Sequence, residues 1–381
     1  MEAILKKKKK RKFKIVGIIF SIIIVLLLAV FITLKMTFLK SFPELTGDPE
    51  IGKWYRVTPE GTKSSDGSEW HGIFRKGTEK KVVVYFFGGG VSINDETSKG
   101  GKEFFATNMM GQDFVAQLGI GSDSDKNPFK DWSFLVIPYA SGDFHTGTGE
   151  YTYTEDGKEK TVYHQGYTNY SNFVNEAKKY IDEPDTLLVT GFSAGAFATS
   201  LLADDVIDRF PSANNVTVAV DSALILYDDW NKTAVNLWKS PEKISEPLKG
   251  NNIVLDSLNA LYQKRGDRVK ILFDSSYRDD TLLQYQSYID SGKMANTKEL
   301  GDQYQSHLKT MVGQLQEDIP GIGIYIWSLK EDPKTQNTQH TILNGDPFDS
   351  LGNEKNIIEW IDSAVNGQIE NYGLELLDKS L

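Results

Sequence analysis

The chain has 381 residues, a formal net charge of −10, 12% aromatic residues and no cysteine. The missing cysteine excludes a disulfide framework, a thiolate nucleophile and a cysteine-based zinc site, and in an exported protein it fits a bacterial source better than an animal or plant one. Of the 42 basic and 52 acidic residues, positions 1–40 hold ten and one, which leaves 32 and 51 for the remainder, a net of −19 that argues against nucleic acid and anionic lipid surfaces as partners.

In chain order, Lys6 to Lys10, Arg11, Lys12 and Lys14 form a basic cluster, and 15–34 follows as 20 residues without a charge. That run is long enough to span a bilayer core as a helix. No Ala-x-Ala site follows it, as a cleaved signal peptide requires. The reading is an uncleaved transmembrane anchor. The positive-inside rule places the basic tail, 1–14, in the cytoplasm and the rest outside the plasma membrane. Residues 35–50 read as a stalk. Residues 51–381 read as one extracellular domain, long enough to bury a core.

The first continuous apolar run, 81–87, ends at Gly88-Gly89-Gly90. Others follow at 132–138, 187–190, 216–220, 269–273 and 322–327. Unbroken apolar runs indicate parallel strands covered on both faces. Helical patterns lie at 173–181, 196–210 and 357–365. Alternating β and α elements predict an α/β fold with a doubly wound, mostly parallel sheet. The Gly-, Thr- and Tyr-rich stretch 141–165 reads as a hairpin or long loop. The polar, partly helical stretch 226–265 reads as a small cap.

The strand at 186–190 runs into Gly191-Phe192-Ser193-Ala194-Gly195. Gly-x-Ser-x-Gly between an apolar strand and an alanine-rich helix is the nucleophile elbow of an α/β-hydrolase, in which a strained turn lifts the serine hydroxyl out of the sheet. A serine needs a base, and the base needs an orienting carboxylate, in the chain order Ser, acid, His. Of the five histidines, only His307 and His340 follow Ser193. His340 comes after the last strand and before the closing helix, where the base belongs. His307 lies in a polar helical stretch and reads as a surface residue. For the acid, Asp280 is preferred, with Asp279 next and Asp221 third; Asp274 also lies near a strand end. The oxyanion hole needs backbone N–H groups. Ala194 supplies one, and Gly89, Gly90 and Val91, in a loop like the HGGG loop of lipases, supply the others. No Walker or Gly-x-Gly-x-x-Gly pattern fits, and no His-x-His or His-Glu-x-x-His spacing occurs, so neither a cofactor nor a metal is expected.

Taken in order, these segments resemble the pectin acetylesterases and their animal relatives of the Notum group. The resemblance rests on the strand with Gly-Gly-Gly at 82–90, on 132–144 with Ile137-Pro-Tyr-Ala-Ser-Gly-Asp143, on His164-Gln165-Gly166 with Asn169, on the elbow, and on Val220-Asp221-Ser222-Ala223. It is close over 50–225 and loose over 266–365. It implies Ser193 as nucleophile, His340 as base, the Asp279/Asp280 region as acid, and the N–H groups of Gly90, Val91 and Ala194 as the oxyanion hole. Val91-Ser92 stands where the family usually has Trp-Cys, Ala196 replaces a common second glycine, and 226–265 does not align. The implied activity is a serine carboxylesterase acting on an acylated carbohydrate, such as an O-acetyl polysaccharide. The alternatives are a lipid or lipoprotein esterase, an acyltransferase of the cell envelope, and a non-catalytic binding module on a hydrolase scaffold.

Overall fold

A computed structural model describes Met1 and residues 41–101, 104–345, 347–349 and 355–380. The expected membrane helix, 15–34, lies outside the described residues, as do the rest of the basic tail and residues 35–40. Among the described residues no helix is long and apolar enough to cross a membrane. The chain divides into a unit Met1–Ser41 and a second, Phe42–Leu381. The domain therefore starts at Phe42 rather than at 51, and 42–50 belong to it instead of to a stalk. The reason is local pairing. Phe42 stacks on Trp54 at 5.9 Å and its N–H donates to Asp113 Oδ2 at 2.9 Å, while Leu45 N–H donates to Arg56 O at 2.9 Å.

The strands are β1 (Trp54–Val57), β2 (Gly72–Arg75), β3 (Lys81–Phe86), β4 (Ser133–Ile137), β5 (Gly149–Glu155), β6 (Lys158–His164), β7 (Thr186–Phe192), β8 (Asn215–Asp221), β9 (Val269–Ser276) and β10 (Gly323–Trp327). All but β5 and β6 join one sheet in the order β1-β2-β4-β3-β7-β8-β9-β10. From β4 to β10 every pairing is parallel; β2 joins β4, and β1 joins β2, antiparallel. This mixed α/β architecture with a largely parallel central sheet is consistent with a hydrolase-like fold. β4, β7 and β10 are buried at every residue, which is why they read as unbroken apolar runs. β5 and β6 form a separate antiparallel hairpin within the stretch expected to hold one.

The main helices are α1 (Gly166–Ala177), α2 (Ala194–Arg209), α3 (Ile253–Arg265), α4 (Leu282–Ser291), α5 (Lys298–Asp318) and α6 (Ile357–Val365). α2 opens with Ala194, Gly195, Ala196 and Ala198, small residues that let it lie close on β3, β7 and β8. It stops before Phe210-Pro211, because the residue ahead of a proline is pushed out of the helical region. Phe197 stacks face to face on Phe144 at 4.3 Å and locks the first turn to the loop after β4. α6 begins with a reciprocal cap: Asn356 accepts from Glu359 N–H at 2.9 Å, and the Glu359 carboxylate accepts from Asn356 N–H at 3.2 Å. Such a cap stabilises a helix start by about 1 kcal/mol, and it seats Ile357, Ile358, Trp360 and Ile361 in the core. Because β3, β7 and β9 run parallel, their carboxyl ends lie along one edge of the sheet, where α/β sheets place their ligands.

Candidate active site

Ser193 sits between β7 and α2 at φ 56° and ψ −126°, a strained conformation for a residue with a Cβ. Close approaches on each side hold it there. Its N–H donates to Asp221 O at 3.0 Å. A side chain at Gly191 would strike Gly195 O, and one at Gly195 would strike Phe86 O. A Cβ on Gly88 would lie 2.6 Å from the Ser193 Cβ. The glycines of the motif are therefore demanded by contact, since neither Gly191 nor Gly195 has a positive φ. Gly195→Ala is expected to destabilise the fold by roughly 1–3 kcal/mol, read as a lower urea midpoint at unchanged slope.

His340 Nδ1–H donates to Asp279 Oδ2 at 2.7 Å. The strand pairing around them explains why the partner is Asp279. Thr338 N–H donates to Arg278 O, Asp280 N–H donates to Thr338 O, and Asp279 faces Thr338 in a parallel bridge. Successive side chains of an extended segment point to opposite sides. Arg278 is wholly buried toward α5, where it meets Asp302 and donates to Lys298 O at 2.7 Å. Asp279, also wholly buried, turns to His340, and its Oδ1 caps α4 by accepting from Thr281 N–H at 3.0 Å and Leu282 N–H at 2.8 Å. Asp280, preferred from the sequence, accepts from the Thr281 hydroxyl at 3.0 Å and does not bond His340. Asp221 and Asp274 do not bond it either. Burial pulls the His340 pKa down, but the Asp279 carboxylate reverses this, with Asp221 and Asp280 adding to it, so the net direction is up from 6.5.

With Nδ1 donating, Nε2 carries the lone pair of the neutral ring. Nε2 is buried and has no hydrogen-bond partner among the described residues. His340 and Ser193 line one cavity of about 610 Å³.

The glycine loop differs from expectation at one residue. Val91 N–H donates to Phe104 O at 3.0 Å, so it is committed and not free to serve the oxyanion hole expected from the sequence. Gly90, at φ 87°, packs so tightly on Phe104 O that no side chain fits. The N–H groups of Gly89, Gly90 and Ala194 have no hydrogen-bond partner among the described residues. Gly88, Gly89 and Gly90 line the cavity with Ser193. Ala194 begins α2, where the helix dipole favours negative charge. Behind the loop, the His145 Nε2–H donates to Phe87 O at 2.9 Å, and burial lowers its pKa to about 4, so the ring stays neutral.

The other walls come from Gly101 and 104–110 (Phe104, Phe105, Met110), from Thr281 and Tyr285 at the start of α4, and from Thr341 and Asn344. None comes from 226–265, so the cap expected there does not cover this cavity. That stretch packs elsewhere: Trp238 Nε1–H donates to Ser92 O at 2.8 Å, and α3 lies against α2 through Arg265 with Asp204 and Asp208. The wall residues escaped the sequence reading because 101–110 has no periodicity and Tyr285 looks like any other helix tyrosine. His307 sits half-buried on α5 and is not part of the cavity wall. Among the described residues no group of three His, Asp or Glu is placed to hold a metal ion.

No curated protein matches the chain significantly. Residues 56–240 match the family model described as Pectinacetylesterase. The match contains the glycine loop, the loop after β4 and the serine turn, and it ends before Asp279 and His340, which reach the same cavity through β9 and the loop after β10. Over that stretch the chain resembles the pectin acetylesterase family.

Proposed function

We propose that the protein is a serine carboxylesterase that removes O-acetyl groups from a polysaccharide. The pectin acetylesterase match over 56–240 supports ester hydrolysis with acetyl as the acyl group. The observation that carries the mechanism is the Asp279–His340 hydrogen bond on the cavity that Ser193 also lines. In this reading His340 Nε2 takes the Ser193 proton as Oγ attacks the ester carbon. The carbonyl oxygen becomes an anion facing the N–H groups of Gly89, Gly90 and Ala194. The C–O bond to the sugar breaks, and the imidazolium returns its proton to the sugar oxygen. Water, deprotonated by His340, then releases acetate from Ser193. Asp279 holds the ring and favours its charged form. One donor of an oxyanion hole contributes about 10²–10³-fold in kcat.

The charge-free run 15–34 behind a basic cluster supports a membrane anchor with the catalytic domain outside the cell. The purified protein is expected to release acetate from an O-acetylated polysaccharide and to prefer p-nitrophenyl acetate over the octanoate. An optimum at long chains would move the substrate to a lipid or lipoprotein ester, for which the phenyl rings of the 104–110 wall would be the acyl site. No release from folded protein would remove the esterase reading.

A further inference from the structure

Asp221 was a candidate for the catalytic acid, and the fold puts it to another use. It ends β8, is wholly buried, and does not reach the His340 ring. Its Oδ2 accepts from the N–H groups of Ile342 at 3.0 Å and Leu343 at 2.9 Å, and its Oδ1 accepts from the Ser222 hydroxyl at 2.9 Å. Its carbonyl oxygen accepts from Ser193 N–H at 3.0 Å. One residue therefore grips the serine turn with its backbone and the histidine loop with its carboxylate. Both gripped segments are strained: Ser193 has φ 56°, and Thr341, directly after His340, has φ 58°, a rare state for a β-branched residue. Such backbone persists only where its surroundings hold it.

We infer that Asp221 is a positioning residue that sets the distance between Ser193 and His340 by anchoring the turns that carry them. The inference rests on the reading of Ser193 and His340 as nucleophile and base. The carboxylate does not act alone. Asp274 faces Asp221 in the register of β8 and β9, and its Oδ1 accepts from Trp327 Nε1–H at 3.1 Å. Burial, then the Asp221 charge, push the Asp274 pKa well above the carboxylate range. Burial raises Asp221 too, and the donors from Leu343, Ile342 and Ser222 offset that rise only in part. The three donors to Asp221 favour the negative charge on Asp221 over Asp274. The other titratable groups near that charge are Tyr85 of β3, Tyr304 of α5 and His340 itself.

Asp221→Asn keeps the shape and removes the charge. The expected result is a fall in kcat of roughly 10- to 100-fold with KM within about threefold, because the reacting groups are misplaced while the walls of the cavity are untouched. The acid limb of the kcat profile should also move to lower pH, since the anion that favours charged His340 is gone. A merely structural role would lower the melting temperature without moving that limb. Should Asp221→Asn fail to fold, Ser222→Gly decides: Ser222 lies at φ 66°, which glycine adopts freely, and only a donor to Asp221 is lost. It should lower kcat severalfold and move the limb the same way. Wild-type kcat and pH profile in the variant that folds would overturn the inference. Ser193→Ala, run beside them, separates the two failures. If it is inactive while the Asp221 and Ser222 variants behave as wild type, only the positioning role falls. If it is fully active, the esterase reading itself falls.

Discussion

Ser193→Ala is expected to leave the fold intact and to lower kcat on acetyl esters by roughly 10⁴-fold or more. The variant keeps the Cβ, so the clearance from Gly88 and the strained backbone at φ 56° are unchanged. The backbone bond from residue 193 to Asp221 O also stays. Only the hydroxyl goes, so the melting temperature should match the wild type while turnover disappears. What remains would be the modest rate from binding and the oxyanion donors. Steady-state kinetics on p-nitrophenyl acetate, with circular dichroism as the check on folding, reads the outcome. Activity within tenfold of wild type would remove Ser193 from the chemistry.

Asp279→Asn is the second large effect, with a fall in kcat of roughly 10³- to 10⁴-fold. Asparagine preserves the α4 cap, because its Oδ1 still accepts from Thr281 and Leu282 N–H. Its amide then turns toward His340 Nδ1, which favours the tautomer with the proton on Nε2, where the lone pair is needed. Asp280→Asn, one residue along, should change kcat by no more than about threefold, as Asp280 does not bond the ring. The pH profiles separate the two further. In the proposed mechanism His340 serves as base only when neutral, and its pKa is raised from 6.5, so wild-type kcat should fall as pH drops through a value above 6.5. Removing the Asp279 charge should move that limb to lower pH, and removing Asp280 should move it slightly the same way. A large loss in Asp280→Asn with Asp279→Asn near wild type would reverse the assignment.

The pattern of legibility follows from what a sequence can carry. β3, β4 and β7 to β10 were visible because strands covered on both faces must be apolar throughout. β1 and β2 were not, because each has four residues and β2 carries Arg75. That arginine is buried with its guanidinium 4.6 Å from the rings of Trp54 and Phe134, donating to Gly121 O and Lys130 O. A charged residue in the core hides the strand that holds it. Ser193 was legible because its turn demands local glycines. His340 was legible by elimination among five histidines. The choice between Asp279 and Asp280 was not, since it depends on the bridge to Thr338, a pairing far apart in the chain. The same holds for Val91, whose N–H is taken by Phe104, and for Asp221, whose carboxylate meets a loop 121 residues later.

The proposed mechanism requires an acyl-enzyme on Ser193, and trapping that species tests it. Enzyme quenched in acid during turnover of an acetyl ester, digested and analysed by mass spectrometry, should carry one acetyl group on the peptide containing Ser193, and Ser193→Ala should carry none. Full turnover with Ser193 unmodified, or with the acetyl group on another residue, would contradict the account.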